Sequence, residues 1–323
     1  MRVALIGFGS VGKAFRLLLD QQRAQHRFSI VGIHTACHGT AYNPAPPPAA
    51  PAFEEAAKSV SQFLDRALPD VAVEITTLNP LNGEPAISHI RAAFARRIHV
   101  ITANKGPIAH DYAALREEAQ RARVQFRFES TVMDGAPVFN LVRRSLPAVR
   151  INGFTGVLNS TSKLVVAAMQ RGLSMQQGIA EAQRLGVAEA DASFDIDGWD
   201  SAVKTAALAN VLIDARVRPQ DVSRTSIGAL TTEQAVQLAG ERKTVVLVSR
   251  AERRDDGAVS LRVAPEVVLE TDMLAAMPGT SNLLLLHTDL MGTLGTVCVW
   301  PGVDQTAYGV FSDLLDIAKS ASG

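Results

Sequence analysis

The chain has 323 residues, of which 47% are hydrophobic and 20% charged. That is enough for two domains with sizeable cores and is the profile of a soluble globular protein. Basic and acidic side chains cancel to a formal net charge of zero, so bulk charge offers no attraction to nucleic acid or to an acidic membrane. Two cysteines, Cys37 and Cys298, rule out a disulfide framework, and no apolar run has the length of a signal peptide or a membrane span, so the expected location is cytoplasmic.

In chain order, residues 2–6 read as a short buried strand and 10–22 as a helix, joined by Gly7-Phe8-Gly9-Ser10-Val11-Gly12. A second strand is expected at 28–34. The proline- and alanine-rich stretch 43–51 cannot build a sheet interior and reads as a stiff exposed loop. Helical periodicity follows over 53–67. Strands at 71–75, 99–102 and 124–128 then alternate with helices at 84–96 and 110–122. Such alternation implies right-handed crossovers and a parallel sheet.

The rhythm changes after about residue 135. A strand at 150–157 leads into segments that are mainly helical through 213. Two hairpin-like pairs follow: 244–252 with 259–267, through a turn ending in Asp255-Asp256-Gly257, and 283–288 with 293–299, around Met291-Gly292. Residues 305–318 read as an amphipathic helix. The expected fold class is therefore α/β, a Rossmann-type doubly wound parallel sheet with a second α+β domain. Residues 1–135 are assigned to dinucleotide binding, with the C-terminal helix 304–323 returning to that domain. Residues 136–303 are assigned to substrate binding and dimerisation. The apolar run Leu283-Leu284-Leu285-Leu286 needs cover on both faces of its sheet, which points to a homodimer joined through 244–299.

A Gly-x-Gly-x-x-Gly between a strand and a helix has a physical task. Gly7 makes the tight turn, Gly9 lets backbone approach a pyrophosphate, and Gly12 allows close helix packing. Ser10 and Val11 then lie at a helix N-terminus facing the anion. A tight turn that binds nothing is the plainer alternative. The carboxylate that normally ends the second strand and holds the ribose of NAD is missing from His34-Thr35-Ala36-Cys37-His38, and no arginine is adjacent. Both NADP and NAD are admitted, with a mild bias to NADP if His34 or His38 is protonated.

Thr102-Ala103-Asn104-Lys105 follows a parallel strand at its carboxyl end, where such sheets bind ligands, and Thr76 follows the preceding strand in the same way. Solvated polar loops are the alternative for both. Asn159 and Thr161 stand where a strand runs into a helix and can cap it. The most charged stretch runs from Glu189 through Asp195 and Asp197 to Asp200 and Lys204. With a helix starting near Trp199, Asp200 and Lys204 project from one face, and Asp197 is a candidate cap.

These segments together resemble the homoserine dehydrogenase family over almost the whole chain, in its short form without a regulatory domain. The resemblance rests on the glycine turn, Thr102-Ala-Asn-Lys105-Gly-Pro, Phe128-Glu129-Ser-Thr-Val132, Gly156-Val-Leu-Asn159 and, above all, Ala188-Glu189 through Lys204. It implies interconversion of L-aspartate 4-semialdehyde and L-homoserine with NAD(P). By the same resemblance Lys105 and Lys204 are paired lysines at the reacting carbonyl, and Asp200 orients Lys204. Glu189 and Asp195 hold the substrate amino group and ordered water, and Glu129 and Val132 offer backbone carbonyls to a monovalent cation such as sodium. Three segments depart from the family pattern. Asn159-Ser160-Thr161-Ser162-Lys163 stands for Asn-Gly-Thr-Thr-Asn, Met133-Asp134 replaces glycines, and Pro301-Gly302-Val303-Asp304 carries fewer glycines than the family's late loop near the cofactor. These departures leave two other readings open: a dehydrogenase for another small amino-acid-derived substrate, and a cofactor-binding sensor without catalysis.

Overall fold

A computed structural model describes residues 1–254 and 256–321; the hairpin-turn residue Asp255 and the last two residues of the expected C-terminal helix lie outside the described residues. The chain forms two compact units, Met1–Phe139 with the segment from Gly302 onward, and Asn140–Pro301.

The first unit contains strands β1 (Arg2–Ile6), β2 (Ser29–Thr35), β3 (Gly39–Tyr42), β4 (Val71–Glu74), β5 (His99–Thr102) and β6 (Phe126–Arg127). Its helices are α1 (Ser10–Gln21), α2 (Val60–Ala67), α3 (Ala86–Phe94) and α4 (Lys105–Ala122). The sheet runs β3-β2-β1-β4-β5-β6, parallel except for β3, which returns antiparallel along β2. Strand order reverses beside β1, and the carboxyl ends at such a reversal form a crevice for ligands. Alternate β residues (Val3, Leu5, Ile33, Val71, Val73, Ile101) meet Phe15 and Leu19 of α1 and the C-terminal helix Val303–Ala321. On the other pleat, Ile6 is in register with both His34 and Glu74, and Glu74 with Thr102.

Three local expectations need correction. Helix structure over 53–67 shrinks to Val60–Ala67, because Ser59 caps it and Phe53 is engaged by the Phe8 and His38 rings instead. Glu54 pairs with Thr40, so 53–57 lies beside the edge strand. The helix expected at 110–122 begins at Lys105, where the Asn104 side chain accepts from the Gly106 amide, and it is kinked at Asp111. Lys105 is therefore a first-turn helix residue and not part of a loop.

The second unit opens with α5 (Phe139–Ser145), which straddles the unit boundary. It continues through β7 (Ile151–Val157), α6 (Ser160–Gln170), α7 (Met175–Arg184), α8 (Ser193–Ile196), α9 (Trp199–Leu212), β8 (Ser223–Arg224) and α10 (Thr232–Gly240). Strands β9 (Lys243–Arg253), β10 (Val259–Leu269), β11 (Asn282–Thr288) and β12 (Thr293–Cys298) complete it. The sheet order is β12-β11-β7-β9-β10-β8, antiparallel except for the last pair. Helix α9 lies against β7, β9 and β10, and nearly every residue from Asp200 to Asn210 is buried. A helix buried on nearly every side belongs in a core. It carries Asp200 and Lys204 on a rigid support.

Candidate active site

In the first unit the glycine turn has the geometry its sequence requires. Gly7 has φ +101, its amide donates to the His34 carbonyl, and an added Cβ would stand 2.6 Å from the Ile75 carbonyl oxygen. At Gly9 an added Cβ would meet nothing within 4 Å, so this stretch of backbone is open to a ligand. Gly9 is also the N-cap of α1 and makes no side-chain cap bond. Phe8, Ser10, Val11 and Gly12 complete a turn fit to cradle a pyrophosphate at a helix N-terminus.

The loops after β4 and β5 are tied to one another by a carboxylate to which the sequence reading gave no part. Glu74 is fully buried and accepts from the Thr76 amide at 3.1 Å, from the Thr76 hydroxyl, and from the Thr102 hydroxyl at 3.0 Å. The Asn104 amide donates to Thr102 Oγ1 at 3.0 Å, and Asn104 Nδ2 donates to the Thr76 carbonyl at 3.2 Å. The polar groups of Thr76, Thr102 and Asn104 thus serve largely to fix the two loops, with Ala103 between them and Lys105 following. His89 Nδ1 lies 3.8 Å from Glu74 and is buried without a hydrogen-bond partner. One signal in the sequence was available: an acid closing the otherwise apolar strand Val71-Ala-Val-Glu74.

His34 is half-buried at the end of β2. It stacks on Phe63, shares a 2.9 Å bond with Thr40 Oγ1, and its pKa is lowered first by burial and then by His89. Neutral at physiological pH, it supplies none of the attraction expected of it. His38 stays exposed on the turn against Phe53, its amide held by Thr35 Oγ1.

In the second unit β7 and the start of α6 meet the start of α9 in a compact ionic cluster. Asn159 caps α6 by accepting from the Ser162 amide at 2.8 Å. Its Nδ2 donates to Asp195 Oδ1 at 2.6 Å and to Asp200 Oδ2 at 3.1 Å. Lys204 Nζ stands 3.1 Å from Asp200 Oδ2 and donates to the Leu158 carbonyl at 2.6 Å. Burial and the neighbouring Asp200 charge raise the Asp195 pKa, against the opposing effects of Asn159, Thr161 and Lys204. Two carboxylates and one ammonium around a shared amide offer a donor with charge at one end and acceptors for a cation at the other. The Leu158 carbonyl was missed from sequence because a backbone acceptor leaves no residue-type signature.

Two expected contributors stand apart. Glu189 is exposed, and the bond that holds it runs from Gln183 to its backbone carbonyl. Asp197 is not the cap of α9. Gly198 takes that position with φ +76, and Asp197 accepts from Ser226 Oγ at 3.1 Å. In the first unit Glu129 is buried, with its Oε1 accepting from the Val138 and Phe139 amides at 2.6 and 2.9 Å; Val132 is buried close by in sequence. Among the described residues no group of three or more His, Cys, Asp or Glu side chains is placed to hold a metal ion.

Comparison with known proteins covers both units. Residues 7–129 match the family model described as homoserine dehydrogenase, NAD binding domain, and residues 137–315 match the model described as homoserine dehydrogenase. The chain is 33% identical to an NAD(+)-dependent homoserine dehydrogenase of Pseudomonas canavaninivorans, over 99% of this chain and 97% of that protein. It is 31% identical to a homoserine dehydrogenase of Methanocaldococcus jannaschii over 99% of each. A crystal structure of a homoserine dehydrogenase from Thiobacillus denitrificans superposes with a TM-score of 0.84 at 27% identity, covering 100% of this chain and 74% of that one.

Proposed function

The chain belongs to the homoserine dehydrogenase family, and from that premise we propose that it interconverts L-aspartate 4-semialdehyde and L-homoserine with NAD(P). The observation that carries this reading is the Asp195–Asn159–Asp200–Lys204 cluster, in which a single ammonium is aimed and charge-balanced by buried neighbours. A dinucleotide held by its pyrophosphate at the glycine turn would supply or accept the hydride through its nicotinamide. Hydride addition to the aldehyde carbon breaks the carbonyl π bond and leaves charge on oxygen, and the Lys204 ammonium stabilises that oxygen and gives it a proton. Asp200 and the Leu158 carbonyl hold the ammonium in line. In the reverse direction the lysine, once neutral, removes the hydroxyl proton. Asp195 accepts a hydrogen bond from the substrate's amino group, and Asn159 and Thr161 set the position of Asp195. Lys105, at the start of α4, is assigned the second ammonium. Glu129 and Val132 are assigned a structural monovalent cation through their carbonyls.

The unit with the glycine turn is assigned the cofactor; the other is assigned the substrate and a homodimer contact. Exposed Val267, Leu269, Val297 and Val299 on β10 and at the end of β12 support a covered sheet there. Among the described residues no helix is long and apolar enough to cross a membrane, and we assign the protein to the cytoplasm. Both cofactors are expected to serve within about tenfold, or about 1.4 kcal/mol, since the strand end offers neither carboxylate nor arginine. Any mild NADP bias would rest on His38, which stays exposed on the turn after β2. Homoserine-dependent reduction of NAD and NADP, assayed side by side at several pH values, tests the reading. Reduction with neither, alongside turnover of another small amino-alcohol, would favour the alternative dehydrogenase. A strong NAD preference at every pH would refute the cofactor assignment, and a monomer by sedimentation at micromolar concentration would refute the dimer.

A further inference from the structure

Lys163 replaces the asparagine of the family pattern, and the reaction gives it no task. It lies in the first turn of α6, with Nζ donating to the Met277 carbonyl at 2.9 Å and the Ser281 carbonyl at 2.8 Å. One turn position earlier, Ser160 Oγ donates to the Thr280 carbonyl at 2.7 Å, so the start of α6 holds the 277–281 loop. Both partners of the ammonium are neutral, and among the described residues no carboxylate pairs with Lys163. Burial, as the sole cause, lowers its pKa to about 8, so it remains mostly charged at neutral pH. Helix α6 has no acidic residue in its first turn, and its dipole adds positive potential at the same end. A desolvated cation in such a place is unfavourable unless an anion answers it.

The same lysine lines a cavity of about 210 Å³, walled by Leu164, Leu274, Ala275 and Met277, with Gln170 and Glu270 also on its lining. That is room for roughly seven waters at bulk density, and so for a ligand of a few heavy atoms. We propose that this cavity binds a small aliphatic carboxylate, its anionic end at Lys163 and its hydrocarbon end against Leu164, Leu274 and Met277. Asp195 and Asp200 would repel such an anion from their own cluster, which makes Lys163 a separate point of attraction. The proposal stands apart from the oxidoreductase reaction and is tested without cofactor.

Isothermal titration with 3-methylbutanoate at pH 7 is expected to show one saturable site, at least tenfold tighter than for the uncharged 3-methylbutanamide. Lys163→Met should weaken binding tenfold or more. Because that change can also loosen the 277–281 loop, Ala167→Trp serves as the second variant; it leaves the lysine in place and fills the cavity from an exposed position on α6. Between pH 7 and pH 9 the protonated fraction of Lys163 falls from about 0.9 to about 0.1, so affinity should drop about tenfold. Equal binding of acid and amide would overturn the proposal. So would binding unchanged in both variants, absence of saturable heat at high millimolar concentration, or displacement of the carboxylate by L-homoserine.

Discussion

Removing the Lys204 ammonium separates its two roles. Lys204→Met deletes the bond to the Leu158 carbonyl and the 3.1 Å contact with Asp200, while keeping the length of the side chain. The pair is largely buried, at 15% and 12% side-chain exposure, so solvent screens it little. Without the ammonium, Asp195 and Asp200 lose that positive charge and are left sharing the Asn159 side-chain amide. Breaking a buried pair from one side costs about 3–5 kcal/mol. Protonation of one carboxyl relieves part of that, so the loss should be greatest above neutral pH and should fade as pH falls through the carboxylate range. Turnover should fall by at least about a hundredfold, the scale for losing a proton donor and charge stabiliser together. The double variant Lys204→Met/Asp200→Asn should recover most of the stability and none of the turnover. Urea unfolding at pH 6 and pH 8, with steady-state kinetics on the same preparations, measures both. Turnover within tenfold of the parent, or a double variant no more stable than Lys204→Met, would refute the reasoning.

Four further variants test the same logic. Glu74→Ala strands the Thr76 amide and the Thr76 and Thr102 hydroxyls, and is expected to cost about 3 kcal/mol in urea unfolding and to raise the cofactor KM several-fold. Gly9→Ala should leave stability within about 0.5 kcal/mol while raising the cofactor KM about tenfold, since its Cβ meets open space. Gly7→Ala should instead destabilise the fold by about 1–3 kcal/mol, from its positive φ and the clash with Ile75. Asp195 has a raised native pKa, so the folded protein binds its proton more tightly than the unfolded chain does. Its contribution favours folding below the unfolded pKa and is lost as pH rises through the native one. Asp195→Asn is therefore expected to stabilise the protein at pH 7–8 by about 1 kcal/mol, with the difference disappearing in acid. The KM for homoserine should rise at the same time, and no change in either quantity would remove Asp195 from the site.

Much of the fold could be read from the chain because its cues are local. Strand and helix periods, the glycine turn and the two hairpins each depend on residues within a dozen positions, and they foretold a doubly wound sheet followed by antiparallel strands. The Asp200–Lys204 contact was legible for the same reason, since helical geometry alone brings residues four apart together. Where local preference competed with packing, the reading slipped. The periodic stretch over 53–58 became an extended strap because Phe53 packs against Phe8 and His38, and the edge strand β3 went unseen. At the start of α9 a left-handed turn selected Gly198 over Asp197.

What only the tertiary structure decided are contacts between residues far apart in sequence and the direction of single side chains. Asn159 reaches Asp195 across 36 positions, and Thr102 reaches Glu74 across 28. The first depends on how β7 and α6 pack against α8 and α9, the second on the register of β4 with β5. The side to which His34 points is likewise a matter of pleat. Sheet alternation puts it on the side of Phe63, where burial keeps it neutral. Residue types state which chemistry is available, but the free energy that brings two such groups together comes from the burial of apolar surface spread over the whole unit. No short stretch of sequence contains that sum.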